Sequence, residues 1–203
     1  MRIAFFGGTF DPPHRAHLAV AGTVAEAFQL DSVLFAPVGL QPLKEGRATT
    51  PFADRLAMVE LACTADPRFH ASTIDAPLPD ASPNYTVDTL ATLRSQLPDA
   101  KLFSIVGADS FLTLRQWRQP DRLLALAEWI VVSRPGSPLD DLSSLHLSPA
   151  QKGQIHIVET MYDDLSATAL RQRLAEGQSC DDLLPPPVAD YIRQHGLYRK
   201  ALA

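Results

Sequence analysis

Cysteine, long apolar runs and an excess of basic charge are all scarce in this chain, and each scarcity removes a class of protein. Only two of the 203 residues are cysteine, Cys63 and Cys180. They lie far apart, in no metal-ligand or redox spacing, which argues against a disulfide scaffold and a zinc site and leaves two free thiols. No apolar run approaches the length that crosses a bilayer, and the four apolar residues 3–6 ahead of Gly7 are too few for a signal-peptide core. A soluble, cytoplasmic protein is expected. With 18 Lys and Arg against 23 Asp and Glu, the formal charge is −5. That gives no broad attraction to nucleic acid or to an anionic membrane, so any phosphate chemistry has to be local. There is no internal repeat and no low-complexity tract, and oligomeric state is not written in the sequence.

What is present is an alternation. Hydrophobic residues make up 46% of the chain, enough for one substantial core. Short apolar runs at 3–6, 32–36, 69–74, 102–106, 129–132 and 155–158 read as strands. Between and after them, stretches of helical period fall at 16–30, from Thr50-Pro51 through about 65, from near Thr86, at 117–127, 167–175 and 186–195. Thr50 reads as an N-cap with proline at the first helical position. This order predicts an α/β fold, a doubly wound, Rossmann-like parallel sheet with helices on both faces and a small C-terminal helical extension. We expect one domain over 1–203, with a core over 1–165 and a helical part over 166–203. Residues 134–151, rich in proline and serine, are expected to run over the surface.

The first strand leads into Gly7-Gly8-Thr9-Phe10-Asp11-Pro12-Pro13-His14, with His17 three residues later. In a doubly wound sheet the turn after the first strand aims a helix N-terminus into the ligand crevice. Glycine there lets the backbone approach a ligand, and the exposed amides and helix dipole favour an anion. His14 and His17, spaced to share one helix face, both have the chemistry to donate to one polyphosphate. A tight turn followed by two exposed polar side chains is the plain alternative for any one of these features; the combination favours an ATP phosphate site. His17→Ala is expected to cut turnover with the fold intact, the side chain being exposed.

This string resembles the nucleotidyltransferase superfamily, whose signature is Gly-Gly-x-Phe-Asp followed by His-x-Gly-His, with Ala16 here in place of the glycine. Near the far end Leu165-Ser166-Ala167-Thr168-Ala169-Leu170-Arg171 resembles the same superfamily's Ile-Ser-Ser-Thr-x-x-Arg, with Ala167 in place of the second serine. The resemblance implies that His14, His17 and Arg171 act on the phosphates, that Gly7, Gly8, Thr9, Phe10, Ser166 and Thr168 hold ATP, and that Mg2+ arrives bound mainly through the ATP phosphates, with no protein metal ligand assigned.

Between these sites the chain resembles bacterial nicotinate-mononucleotide adenylyltransferases over nearly its whole length. Tyr85-Thr86 matches the family's acceptor pocket, Trp117 the tryptophan that stacks on the pyridine ring, Gly107-Ala108-Asp109 a nucleotide contact through Gly107 and Asp109, and Arg134-Pro135-Gly136 a string that sets Arg134 near phosphate. Lys44, expected to meet an ATP phosphate, remains from a Pro-Pro-His-Lys string in which Leu43, unable to donate a hydrogen bond, replaces the histidine. The C-terminal string through Gly196-Leu197-Tyr198 reads as structural. The partners implied are ATP and nicotinate mononucleotide. An enzyme using nicotinamide mononucleotide or 4′-phosphopantetheine stays open, as does a non-catalytic nucleotide-binding module, to which Ala16, Leu43 and Ala167 would belong.

Overall fold

The computed structural model describes residues 1–42, 49–133, 142–159 and 167–199. In chain order the elements are β1 (Arg2–Gly8), α1 (Arg15–Ala27), β2 (Ser32–Pro37), α2 (Phe52–Cys63), β3 (Phe69–Ala71), α3 (Thr86–Gln96), β4 (Lys101–Gly107), α4 (Ala108–Phe111), α5 (Pro120–Leu126), β5 (Glu128–Ser133), α6 (Pro149–Lys152), β6 (Ile155–Glu159), α7 (Ala167–Ala175) and α8 (Pro186–His195). The strands form one sheet of order β3-β2-β1-β4-β5-β6, and every neighbouring pair is parallel. The chain winds outward from β1 through β2 to β3 and then returns to lay β4 beside β1. Strand order therefore reverses between β1 and β4, and a crevice opens beyond their carboxyl ends, where Gly7, Gly8 and Gly107 stand.

The strands read as continuous apolar runs because helices cover both faces. Along β4, Leu102 and Val106 pack with Phe5, Leu90, Leu123 and Trp129 on the face covered by α3 and α5. Phe103 and Ile105 pack with Ala4, Val24, Phe35 and Ile130 on the face covered by α1. A third cluster joins Met58 and Ala62 of α2 to Leu170, Leu184, Val188 and Ile192 of the C-terminal helices. No described helix is long and apolar enough to cross a membrane.

Element boundaries differ from the sequence reading in ways that have local causes. β3 ends at Ala71 instead of residue 74. The helix expected over 117–127 begins only at Pro120, because Gln119 ahead of it takes a left-handed φ of 53°; Pro120 then starts the helix, where its missing N–H costs nothing. Pro51, not Thr50, is the cap residue of α2. Part of the expected surface excursion is inside: Leu145 and Leu147 are buried in the core. A 3-10 turn over Ser143–Leu145 and the short α6 carry the chain past them.

Candidate active site

The turn after β1 is held in an uncommon conformation by packing. Phe10 has a left-handed φ of 48°, which a side chain adopts only when its surroundings impose it. Its ring is buried, meets Phe6 and His17 edge-on at 5.5 Å and 5.0 Å, and lies at a tilt to Phe35 at 5.7 Å. Gly7 is required by the strand itself, since a Cβ there would come within 2.6 Å of the Phe5 ring.

Three distant segments clamp the next residues. The buried Asp11 carboxylate accepts the Tyr198 hydroxyl at 2.6 Å and the Thr50 N–H at 3.2 Å. The Asp11 carbonyl accepts Arg171 Nη1 at 2.7 Å. Arg55, only 2% exposed, donates from Nη1 to the Thr9 carbonyl and from Nε to the Thr50 carbonyl, each at 2.9 Å. A buried guanidinium without partners would be prohibitively costly, so these bonds and the nearby Asp11 charge are what permit it. Burial pulls the Arg55 pKa down and Asp11 opposes that shift. Burial, then the bond to Asp11, pushes the Tyr198 hydroxyl well above the ordinary phenol range.

His14 and His17 stack with ring centroids 3.7 Å apart, as their spacing on α1 predicts. His17 Nδ1 accepts the His14 backbone N–H at 3.2 Å. In the neutral imidazole the proton must then sit on Nε2, which leaves Nε2–H as a donor. Burial depresses the His14 pKa to about 4, and burial followed by the His14 neighbour takes His17 well below its usual value. Both rings are therefore neutral at pH 7. Neither is the exposed side chain the sequence suggested, for His14 is buried and His17 half-buried. Among the described residues, His14 Nδ1 has no hydrogen-bond partner.

Two cavities open at the carboxyl edge of the sheet. One, of about 300 Å³, is lined by His17, Arg55, Thr168 and Arg171 together with Thr9 and Phe10 of the turn. Arg171 Nη2 also donates to Thr168 Oγ1 at 3.2 Å. Its donors and cations suit a polyphosphate. The other, of about 260 Å³, is lined by Tyr85, Thr86, Trp117 and Arg118, with Gly7, Gly8 and Gly107 along the sheet edge. Trp117 is fixed by a 3.1 Å bond from Nε1 to Thr113 Oγ1 and by edge-on contact with Trp129 at 6.1 Å. Thr9, Val38 and Gln41 belong to both walls, and the Thr9 hydroxyl donates to Gln41 Oε1 at 3.3 Å. The loop carrying Gln41 is tied down by Gly39, where a Cβ would lie 2.5 Å from the Pro77 nitrogen. Asn84 holds the same loop, accepting the Leu40 N–H and donating to the Ala76 carbonyl, both at 2.9 Å.

Most of the residues singled out in sequence thus come together. Thr9, Phe10, His17, Thr168 and Arg171 line the first cavity; Gly7, Gly8, Tyr85, Thr86, Gly107 and Trp117 line the second. His14 stands behind His17, outside both walls. Asp109 is exposed on α4 and lines neither cavity, because the chain turns into that helix directly after Gly107. Ala16 also lines neither, whereas Ala167 reaches the first. Lys44, Arg134 and Ser166, with Leu43, lie outside the described residues. Sequence reasoning missed Arg55, Arg118 and the reach of Tyr198 to Asp11. Arg55 had left a signal: it occupies the stripe of α2 that also carries Met58, Val59 and Ala62, and a lone charge on a buried stripe needs a partner.

A doubly wound sheet whose switch point holds a cavity lined by His17, Arg55 and Arg171 beside an aromatic one is an architecture suited to handling a nucleotide. The model of the cytidylyltransferase-like family matches residues 5–173. A probable nicotinate-nucleotide adenylyltransferase of Thermomicrobium roseum is 41% identical over 198 residues, covering 98% of this chain and 92% of that one. One from a Roseiflexus species is 43% identical over 197 residues, covering 97% and 98%. The chain belongs to the nicotinate-nucleotide adenylyltransferase family. The fold agrees with that of a Plasmodium falciparum nicotinic acid mononucleotide adenylyltransferase solved with NaAD, at a TM-score of 0.78, 18% identity and 97% coverage of both chains.

Proposed function

We propose that the protein transfers the adenylyl group of ATP to nicotinate mononucleotide, forming deamido-NAD and pyrophosphate, and does so in the cytoplasm. The observation that carries this reading is the meeting of two unlike cavities at Thr9 and Gln41, one lined by His17, Arg55 and Arg171 and one walled by aromatic rings. An oxygen of the acceptor's 5′-phosphate attacks the α-phosphorus of ATP, the bond from that phosphorus to the bridging oxygen breaks, and pyrophosphate leaves with the electron pair. The attacking phosphate is already ionised at neutral pH, so the protein needs no base.

The histidines fit that chemistry. Burial holds them neutral in the free protein, so each is a neutral hydrogen-bonding group before ATP arrives. His17 offers an Nε2–H whose direction is fixed by the bond at Nδ1, and His14 supports it by stacking. Positive charge comes from Arg171 and Arg55 in the same wall, and amides of the Gly8 to Phe10 turn add donors. Catalysis is then positioning plus electrostatic stabilisation of the charge developing on the leaving group. Asp11 is the one carboxylate among the described residues of that wall, and both its oxygens already accept hydrogen bonds. Among the described residues no cluster of three His, Cys, Asp or Glu could hold a metal ion. Magnesium would enter on the ATP phosphates with its own waters, neutralising their charge.

Purified protein given ATP, magnesium and nicotinate mononucleotide should release pyrophosphate and form deamido-NAD in equal amounts. Turnover confined to nicotinamide mononucleotide or 4′-phosphopantetheine would overturn the acceptor assignment. ATP binding with no pyrophosphate from any of the three would leave a non-catalytic module.

A further inference from the structure

Trp117 and Arg118 are consecutive, yet both line the acceptor cavity. Neighbouring side chains on extended backbone point apart. Here Trp117 is extended and Gln119 is left-handed with φ 53°, so the chain turns sharply through this pair. Arg118 ends with its guanidinium carbon 4.6 Å from the centre of the Tyr85 ring. Stacking of that kind holds the planar group in place while leaving its N–H edge free to bond. Among the described residues, no hydrogen bond or ion pair occupies that edge. Tyr85 in turn heads the eleven-residue α3, and Thr86 and Val87 of its first turn line the same cavity, adding the positive end of a helix dipole.

The charges of this wall are unequal. The one carboxyl among its described residues, Asp75, is buried, receives the Thr89 hydroxyl and is pushed upward in pKa by burial. Arg118 is therefore the cation of the described wall, next to the flat face of Trp117. A carboxylate on an aromatic ring held there would present two oxygens to a planar fork of donors, the geometry in which arginine binds most strongly. A carboxamide offers one oxygen and turns an opposing donor toward the guanidinium.

We propose that Arg118 is a specificity-determining residue that selects an acidic over an amide substituent on the acceptor ring. This rests on the pyridine-mononucleotide reading of the cavity. The test compares kcat/KM for nicotinate and nicotinamide mononucleotides in the wild type, R118Q and R118K. R118Q should lose on the order of 10- to 100-fold with the acid and little with the amide, so that the ratio collapses. R118K should recover part of it. Thermal unfolding of both variants should match the wild type, since Arg118 is exposed. An unchanged ratio would overturn the proposal, whether both acceptors lose equally, as for a contact to their shared phosphate, or neither loses. A wild type that does not use nicotinate mononucleotide at all would strike the acceptor assignment beneath the proposal and take the proposal with it.

Discussion

Around the cavity proposed for the phosphates, the buried Arg55 and Asp11 and the half-buried Arg171 are tied by hydrogen bonds to remote parts of the chain, whereas in the cavity proposed for the acceptor the half-buried Tyr85 and Trp117 and the exposed Arg118 are held by ring contacts and one short-range bond. Arg171 reaches Asp11 across 160 residues and Tyr198 reaches it across 187. Trp117 bonds to Thr113, four residues away, and Arg118 rests on the Tyr85 ring. The difference is what the proposed function requires of each side. Donors that stabilise charge in a transition state work only if they are fixed in advance, because reorganising them during the reaction cancels their benefit. A side that only has to hold and discriminate a ring tolerates looser walls. Substitutions on the first side should therefore damage turnover or folding, and those on the second should change KM and selectivity.

The largest effect is expected at His17. His17→Ala should lower kcat by about 100- to 1,000-fold with the acceptor KM near its wild-type value. Because the side chain also accepts the His14 N–H, a thermal melt should show about 1 kcal/mol of lost stability. Steady-state kinetics showing near-normal turnover would break the division between the two cavities.

Arg55→Gln tests the clamp beneath the same cavity. Removing the guanidinium leaves Asp11 buried without its countercharge and the Thr9 carbonyl without its donor. Denaturant unfolding should report a loss of about 3 kcal/mol. A variant as stable as the wild type would mean that the turn is held by Phe10 packing alone.

The buried histidines add a pH dependence of known sign. Between the ordinary histidine value near 6.5 and the folded value of about 4 for His14, the unfolded chain binds a proton that the folded protein excludes. Stability from this source is complete above the unfolded value and is lost as pH falls. Lowering pH from 7 to 5 should cost about 2 kcal/mol through His14, and His17 acts in the same direction. His14→Asn should flatten melting temperature against pH over that range; an unaltered slope would show that other groups set it.

The smallest change is expected on the aromatic side. Trp117→Ala should raise the acceptor KM about 10-fold and leave the KM for ATP unchanged. Equal changes in both would place Trp117 in the scaffold and not in the acceptor wall.

The fold was legible because strands buried on both faces leave apolar runs and the helices between them leave a period, both local patterns. The Gly7 to His17 turn was legible for the same reason: its parts are adjacent in sequence. Boundaries failed where one residue's backbone decided them, as at Gln119, and the burial of Leu145 and Leu147 was hidden in a segment without periodicity. The clamp was illegible for a different reason. Arg55, Asp11 and Tyr198 meet only after the sheet and the C-terminal helices have packed, so no window of sequence contains the interaction. Asp109 stands in the string singled out for nucleotide contact, on the exposed side of α4 at the sheet edge and outside the walls of both cavities.

The assignment of phosphates to one cavity and the pyridine ring to the other is tested most directly by a crystal structure with deamido-NAD bound. We predict the pyridine ring against Trp117 with its carboxylate toward Arg118, and the bridging phosphates running past Thr9 toward His17 and Arg171. A product bound with its ring in the cavity of Arg55 and Arg171, or with its phosphates remote from His17, would contradict the account.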